Sequence, residues 1–173
     1  LDEHNLWRET ESLDKSPSFA ELSELYQSAN QVVSTLARSG AYLTKIKLTN
    51  TKEKKDTWFA NISAVYLDIG TAYWQSDEGE IIPLENFGQM ESANPRLAHS
   101  QAFSLPLNHE ESGTLWIYIQ AKMFATPVVI KIYSKTEFYS KQFLINSITS
   151  ISFTVMMTLA LIALFVYFRT GYL

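Results

Sequence analysis

From Gln142 to Phe168 the chain runs 27 residues without a charge. As a helix rising about 1.5 Å per residue, that stretch is roughly 40 Å long. The hydrocarbon core of a bilayer is about 30 Å thick, so a membrane-spanning helix over 142–169 is the expectation. A buried core helix is the competing explanation, but such helices are usually shorter and keep a polar face. The stretch stands at the C-terminal end of the sequence, which does not fit a secretory signal. The opening LDEHNLWRE is expected to be the start of a mature chain or of an excised fragment.

What precedes the span, residues 1–141, suffices for one domain with its own core. All 18 acidic residues and 13 of the 14 Lys and Arg lie there, 13 against 18, a net −5. That balance argues against nucleic acid or an anionic lipid surface as the partner of this domain. Cysteine is absent, which removes thiol catalysis, disulfides and thiolate metal sites together. Arg169 directly after the span favours a C-terminus in the cytoplasm, with 170–173 starting a cytoplasmic loop, although Lys135 and Lys141 flank the other side.

The first 17 residues are polar and without period, and are expected to be an extended lead-in. Ser18 with Glu21 fits a capping box. Phe19, Leu22, Leu25, Ala29, Val32 and Leu36 recur at helical spacing towards a stop at Gly40; the helix is firm to about Gln27, and QVVSTL fits a strand equally well. Beyond Gly40 the period becomes two. AYLTKIKLTN, TWFANI, AVYLDIGTAYW, AHSQAFSLPL, GTLWIYIQA and TPVVIKIYS are predicted strands, with SDEGE closing a hairpin on Gly79 and GQMESANPR a loop. Short strands at roughly 10-residue spacing predict a mainly β fold: an antiparallel, jelly-roll-like sandwich behind a short N-terminal helix and ahead of one transmembrane helix. KTEFYSKQFLINS leads from the last strand into the span without Gly or Pro, a stiff junction.

Signatures of catalysis are missing. His4, His99 and His109 lie in separate segments, no HExxH, GxSxG or phosphate-cradling glycine loop occurs, and no cofactor or metal is called for. Asp77, Glu78 and Glu80 crowd one turn, where solvated side chains are the ordinary explanation; a calcium loop would space its ligands differently. The strand faces say more. Leu115, Ile117 and Ile119 alternate with Trp116, Tyr118 and Gln120; Val65, Leu67 and Ile69 with Tyr66 and Asp68; Val128, Ile130 and Ile132 with Lys131 and Tyr133. One face is aliphatic, and the other gathers Tyr66, Asp68, Trp74, Trp116, Tyr118 and Tyr133. Aromatic rings beside hydrogen-bonding groups suit a sugar, whose C–H faces stack while its hydroxyls need oriented partners. Cross-strand aromatic pairs, or a helix or loop covering the face, would produce the same pattern. Arg96 and His99 add cationic donors for a hydroxyl-rich or carboxylate ligand, or pair with nearby acids.

The order of these pieces resembles the type 2 extracellular sensor domain of the bacterial seven-transmembrane receptors with diverse intracellular signalling modules. The resemblance covers about Ala41 to Phe138: YLTKIKLTN for the strand ending in Asn, VYLDIGTAYWQSDEG for strand, hairpin and acidic-glycine turn, FG with NPRLAHSQAFSLPL for loop and strand, then GTLWIYIQA and PVVIKIYSKTEF. Arg96 matches the family's loop arginine. Tyr42, Leu43 and Lys45 stand where the family has Trp, an aliphatic residue and Arg, so that arginine's contact does not carry over. The resemblance implies a periplasmic sensor for a carbohydrate-like ligand, with its core at 41–138, in the inner membrane of a Gram-negative bacterium. It also implies seven membrane helices and a cytoplasmic output such as a diguanylate cyclase or histidine kinase; this fragment itself carries no enzyme motif. The rival expectations are a periplasmic module that docks another protein or its own twin through the aromatic face, and a membrane-anchored carbohydrate-handling enzyme. Ser150, Thr154 and Thr158, four residues apart on one helix face, fit packing against further helices; hydroxyls that bond their own backbone are the alternative.

Overall fold

The computed structural model describes residues 7–51, 56–64, 66–89, 101–108 and 110–171. It divides into two compact units, Leu1–Lys135 and Thr136–Leu173. The first is built of two antiparallel sheets and one short helix. In chain order its elements are β1 (Arg8–Thr10), α1 (Phe19–Ser28), β2 (Asn30–Gln31), β3 (Gly40–Thr49), β4 (Trp58–Ile62), β5 (Ile69–Ser76), β6 (Ile81–Phe87), β7 (Gln101–Leu105), β8 (Ser112–Ala121) and β9 (Ile130–Ser134). One sheet has the order β2-β1-β3-β8-β5-β6 and the other β7-β4-β9. The predicted sandwich and its N-terminal helix are thus present.

The capping box forms. Glu21 N–H donates to Ser18 Oγ, and Ser18 N–H donates to Glu21 Oε2 at 2.8 Å. The Ser18 N–H and, at 2.8 Å, the Ser18 hydroxyl both donate to the charged Glu21 carboxylate and hold its pKa below the ordinary value. The helix ends earlier than its apolar period. Ala29 is already extended, and Asn30 and Gln31 pair with Glu9 and Arg8, so strand pairing takes over where QVVSTL was ambiguous. Val32 enters the inter-sheet core and Leu36 is exposed, so neither continues the α1 face. The lead-in also holds more than an extended tail: Arg8–Thr10 is a strand pairing with Ala41–Leu43 of β3.

Period two sorts the main core correctly. Leu115, Ile117 and Ile119 of β8, with Tyr42 and Ile46 of β3, meet Ala60 and Ile62 of β4, Phe103 and Leu105 of β7 and Ile130 of β9. Two glycines let large rings into this layer. A Cβ at Gly113 would strike the Trp74 ring, and one at Gly70 the Phe87 ring. The indole and phenyl therefore lie flat over backbone where any other residue would exclude them.

Register also groups the loops. Ile62 pairs with Ile130 and Gln101, Ile69 with Gln120, Gly40 with Ala121 and Gly70 with Phe87. The described parts of the connections, residues 32–39, 63–64, 66–68, 88–89 and 122–129, therefore all adjoin strand ends at one end of the sandwich. At the opposite end lie the Asp77–Glu78 turn, with Gly79 at φ 91°, and Ser134, where the chain leaves β9.

The second unit is α2 (Lys135–Thr170), one unbroken helix of 36 residues. It is long and apolar enough to cross a membrane, and none of its apolar window is buried within the structure. KTEFYSKQFLINS, the expected junction, lies wholly within this helix. The hydroxyls of Thr154 and Thr158 donate to the carbonyls of Ser150 and Thr154, both at 2.9 Å. They satisfy themselves on their own helix, the alternative to the predicted packing stripe.

Candidate functional site

The aromatic and polar face of the six-stranded sheet is real, and α1 lies on it. Pairing of Leu43 with Tyr118, Lys45 with Trp116 and Tyr73 with Trp116 brings these side chains to one face. Trp116 donates Nε1–H to Gln75 Oε1 at 3.0 Å and meets Phe19 and Tyr26 of α1 edge-on, at ring centroid separations of 5.6 and 5.4 Å. Phe19 also meets Tyr73 edge-on at 5.8 Å. Two cations sit on the Tyr26 ring, the Arg8 guanidinium at 4.4 Å and Lys45 Nζ at 4.5 Å. Leu22, fully buried, fills the centre of a second core made of Leu43, Ile69, Trp116 and Tyr118.

The residues just before α1 are strapped down by the same face. Gln120 accepts from Leu13 N–H at 2.8 Å through Oε1 and returns a bond from Nε2 to the Leu13 carbonyl at 3.0 Å. Tyr118 donates its hydroxyl to Gln120 Oε1 at 2.6 Å, and Tyr73 donates to the Pro17 carbonyl at 2.9 Å. A ten-residue helix is marginal by itself, so this face is what keeps α1 folded.

Burial pushes the Tyr118 hydroxyl up to about 12, against which the Leu13 backbone bond works weakly. Tyr42 is raised as well, by burial first and the Glu9 charge second. A tyrosine whose folded pKa exceeds its unfolded value, about 10, gives its full stabilisation below pH 10 and loses it as pH climbs towards the folded value. Thermal midpoints taken at pH 8 and pH 11 should therefore fall with rising pH, and fall less in Tyr118→Phe. An equal fall in both chains would mean that Tyr118 does not titrate with unfolding.

The seven residues expected to form one site divide into separate places. Trp116 and Tyr118 stay together under α1. Trp74 does not join them: paired with Leu115, it points into the inter-sheet core and is buried. Tyr73 takes its place beside Trp116. Tyr66 and Asp68 lie in the 63–68 connection, where Tyr66 is exposed and Asp68 Oδ2 accepts from Lys122 N–H at 2.9 Å. The expected alternation fails here because Tyr66, Leu67 and Asp68 belong to no strand: Leu67 packs in the inter-sheet core, yet Ile69 packs in the core under α1. Tyr133, half-buried, belongs to the other sheet, opposite Phe59. Arg96, His99 and Val65 lie outside the described residues, as do His4 and His109. Lys45, Tyr73 and the α1 rings are the members sequence reasoning missed. Their signal was the apolar face of α1 itself, which needed an aromatic or aliphatic seat.

Among the described residues no group of three or more His, Asp and Glu is placed to hold a metal ion. No family model matches the chain, and no curated protein matches it. Four solved chains do. One, from the crystal structure of a Bacillus thuringiensis Cry1Da tryptic core variant, shares 11% identity over 57% of this chain and 18% of that chain, at a TM-score of 0.31. This chain thus spans about a fifth of that one, and a likeness so remote bears on neither activity nor partners.

Proposed function

We propose that this chain is the periplasmic sensor head and first membrane segment of a bacterial transmembrane signalling receptor. The supporting observation is the junction. β9 ends at Ser134 and α2 begins at Lys135, so no flexible residue separates the sheet from the apolar helix. A mere tether has no need of a continuous backbone, whereas a relay does, because a loose linker would dissipate any displacement.

The ligand class that suits the Trp116 and Tyr118 face is carbohydrate-like: rings to stack on, with Gln75 and Lys45 to meet hydroxyls. Access to that face requires α1 and its strap to lift, and the ligand then shifts the population towards the uncovered state. Relay would proceed from β8 across the inter-sheet core to Ile130 of β9 and so to α2, and onward to further membrane helices and a cytoplasmic output domain.

Calorimetric titration of the full chain in detergent, with chitooligosaccharides and peptidoglycan fragments, tests this. Gln120→Ala, which frees the strap at Leu13, should tighten binding about tenfold, equivalent to about 1.4 kcal/mol. Trp116→Ala should abolish it. Silence from both wild type and Gln120→Ala would dismiss the carbohydrate reading. A second reading, that the face docks a helix of a partner, draws on α1 already occupying it as a helix; capture of a synthetic Ser18–Ala29 peptide by a chain lacking α1 would favour it.

A further inference from the structure

Five large hydrophobic side chains of the sandwich are exposed among the described residues: Val33 at 72%, Leu36 at 49%, Tyr66 at 70%, Ile81 at 43% and Met123 at 64%. Four of them, all but Ile81, lie in the loops at one end, opposite the end at which the chain leaves β9. Those loops are laced together. Ala37 N–H donates to the Phe124 carbonyl at 2.8 Å, and Phe124 N–H to the Arg38 carbonyl at 2.9 Å. Val128 N–H donates to Thr35 Oγ1 at 3.0 Å, and Val129 N–H to Ser63 Oγ at 2.8 Å. Leu36 and Met123 are thus each one residue from a backbone-bonded pair, and the crown is held by a fixed frame.

Between Tyr66 and Met123 opens a cavity of about 130 Å³, lined by Ala64, Tyr66, Met123, Phe124, Ala125 and Thr126. No charged side chain lines it. An apolar cavity of about 150 Å³ accepts one benzene-sized ring, so this one fits a single aromatic or branched aliphatic group. Four side chains of these exposures offer on the order of 500 Å² in all, a patch of the size that is often functional on a monomer. Each side of a permanent dimer contributes about 1,000 Å² or more, about two-thirds of it apolar. The crown is too small for a permanent subunit contact and too broad for a one-ring ligand.

We propose that this crown is a recognition surface for a polypeptide segment, which inserts one aromatic or branched aliphatic anchor between Tyr66 and Met123 and lays its flanks on Leu36 and Val33. An anchor in a pocket with an adaptable apolar surround is the anatomy of a small protein-binding site, and the thioether of Met123 adjusts to differing anchors. The surface is separate from the Trp116 face and does not depend on what that face binds.

Methyl-¹³C methionine spectra of the full chain in phosphatidylcholine nanodiscs read the pocket directly, with Met123→Leu assigning the resonance. N-acetylphenylalanine amide, a minimal anchor, should shift the Met123 methyl saturably in the millimolar range. Ala125→Trp, an exposed position whose new ring covers the mouth, and Tyr66→Ser should each weaken this at least tenfold. A Met123 methyl that ignores the amide, or responds equally in both variants, overturns the proposal. A response to N-acetylglucosamine in its stead assigns the pocket to a sugar, and self-association lost in Tyr66→Ser assigns the crown to a second copy; either result also overturns it.

Discussion

Gly70→Val is expected to abolish the folded sandwich. Even a bare Cβ at this position falls within the Phe87 ring, and valine adds two methyls beyond it. Phe87 is fully buried and stacked on Phe103, with centroids 5.9 Å apart and planes 22° from parallel, so it has no vacant volume to enter. Overpacking of this kind costs about 1–3 kcal/mol where neighbours yield. Eviction of the phenyl forfeits about 3–5 kcal/mol more. Against a total of about 5–15 kcal/mol, little or nothing is left. Far-ultraviolet circular dichroism of the full chain in detergent would report loss of the strand signal, with α2 retained. Gly70→Val combined with Phe87→Ala should recover part of the melting temperature, since it removes the obstructed ring. A single variant melting within a few degrees of wild type would refute the packing account.

Leu22→Asp should release α1 while leaving both sheets paired. Leu22 is the one fully buried residue of the helix, and its seat among Leu43, Trp116 and Tyr118 is apolar. Losing the leucine costs about 2–5 kcal/mol, and a carboxylate with no partner there adds more. The bonds from Leu13 to Gln120 and from Tyr73 to Pro17 hold the strap and not the helix, and the Arg8 guanidinium reaches the Tyr26 and Ala29 carbonyls only at 3.4 and 3.3 Å. Amide exchange over residues 19–28 should therefore accelerate at least 100-fold, about 2.8 kcal/mol, while β3 and β8 remain protected. Tryptophan emission should shift to the red as Trp116 meets water. Unfolding of the sheets together with α1 would show that the helix is not a separable cover, and the proposed displacement of α1 by a ligand would fall with it.

Much of this architecture was legible because local chemistry and burial agree. Ser18 and Glu21 announce α1, and the alternation from Leu115 to Gln120 assigns both faces of β8 correctly, because that strand is paired on both sides from Gly113 to Gln120. The candidate site was less legible. Parity was carried from Tyr66 and Asp68 through to Trp74, but Tyr66, Leu67 and Asp68 are not in a strand, so the alternation restarts at Ile69. Parity within β5 places Trp74 with Ala72 in the inter-sheet core, and the decisive partner is Gly113, a vacancy in a different strand that no local pattern discloses. That a helix covers the Trp116 face was one of the alternatives the composition allowed. The choice between it and an open face depends on the long-range pairing of residues near 20 with residues near 118, which periodicity does not encode.

The strand order has a consequence for how the protein is made. β8 separates β3 from β5, and β9 pairs along one side of β4, so β3, β4 and β5 each wait for a partner near the end of the domain. Contacts so distant in sequence form slowly. As the chain emerges from its N-terminus, β3, β4 and β5 stay without those neighbours until residues 112–134 appear, and the next segment to be synthesised is α2. Closure of the sandwich and synthesis of the apolar helix are therefore adjacent events in the making of the chain.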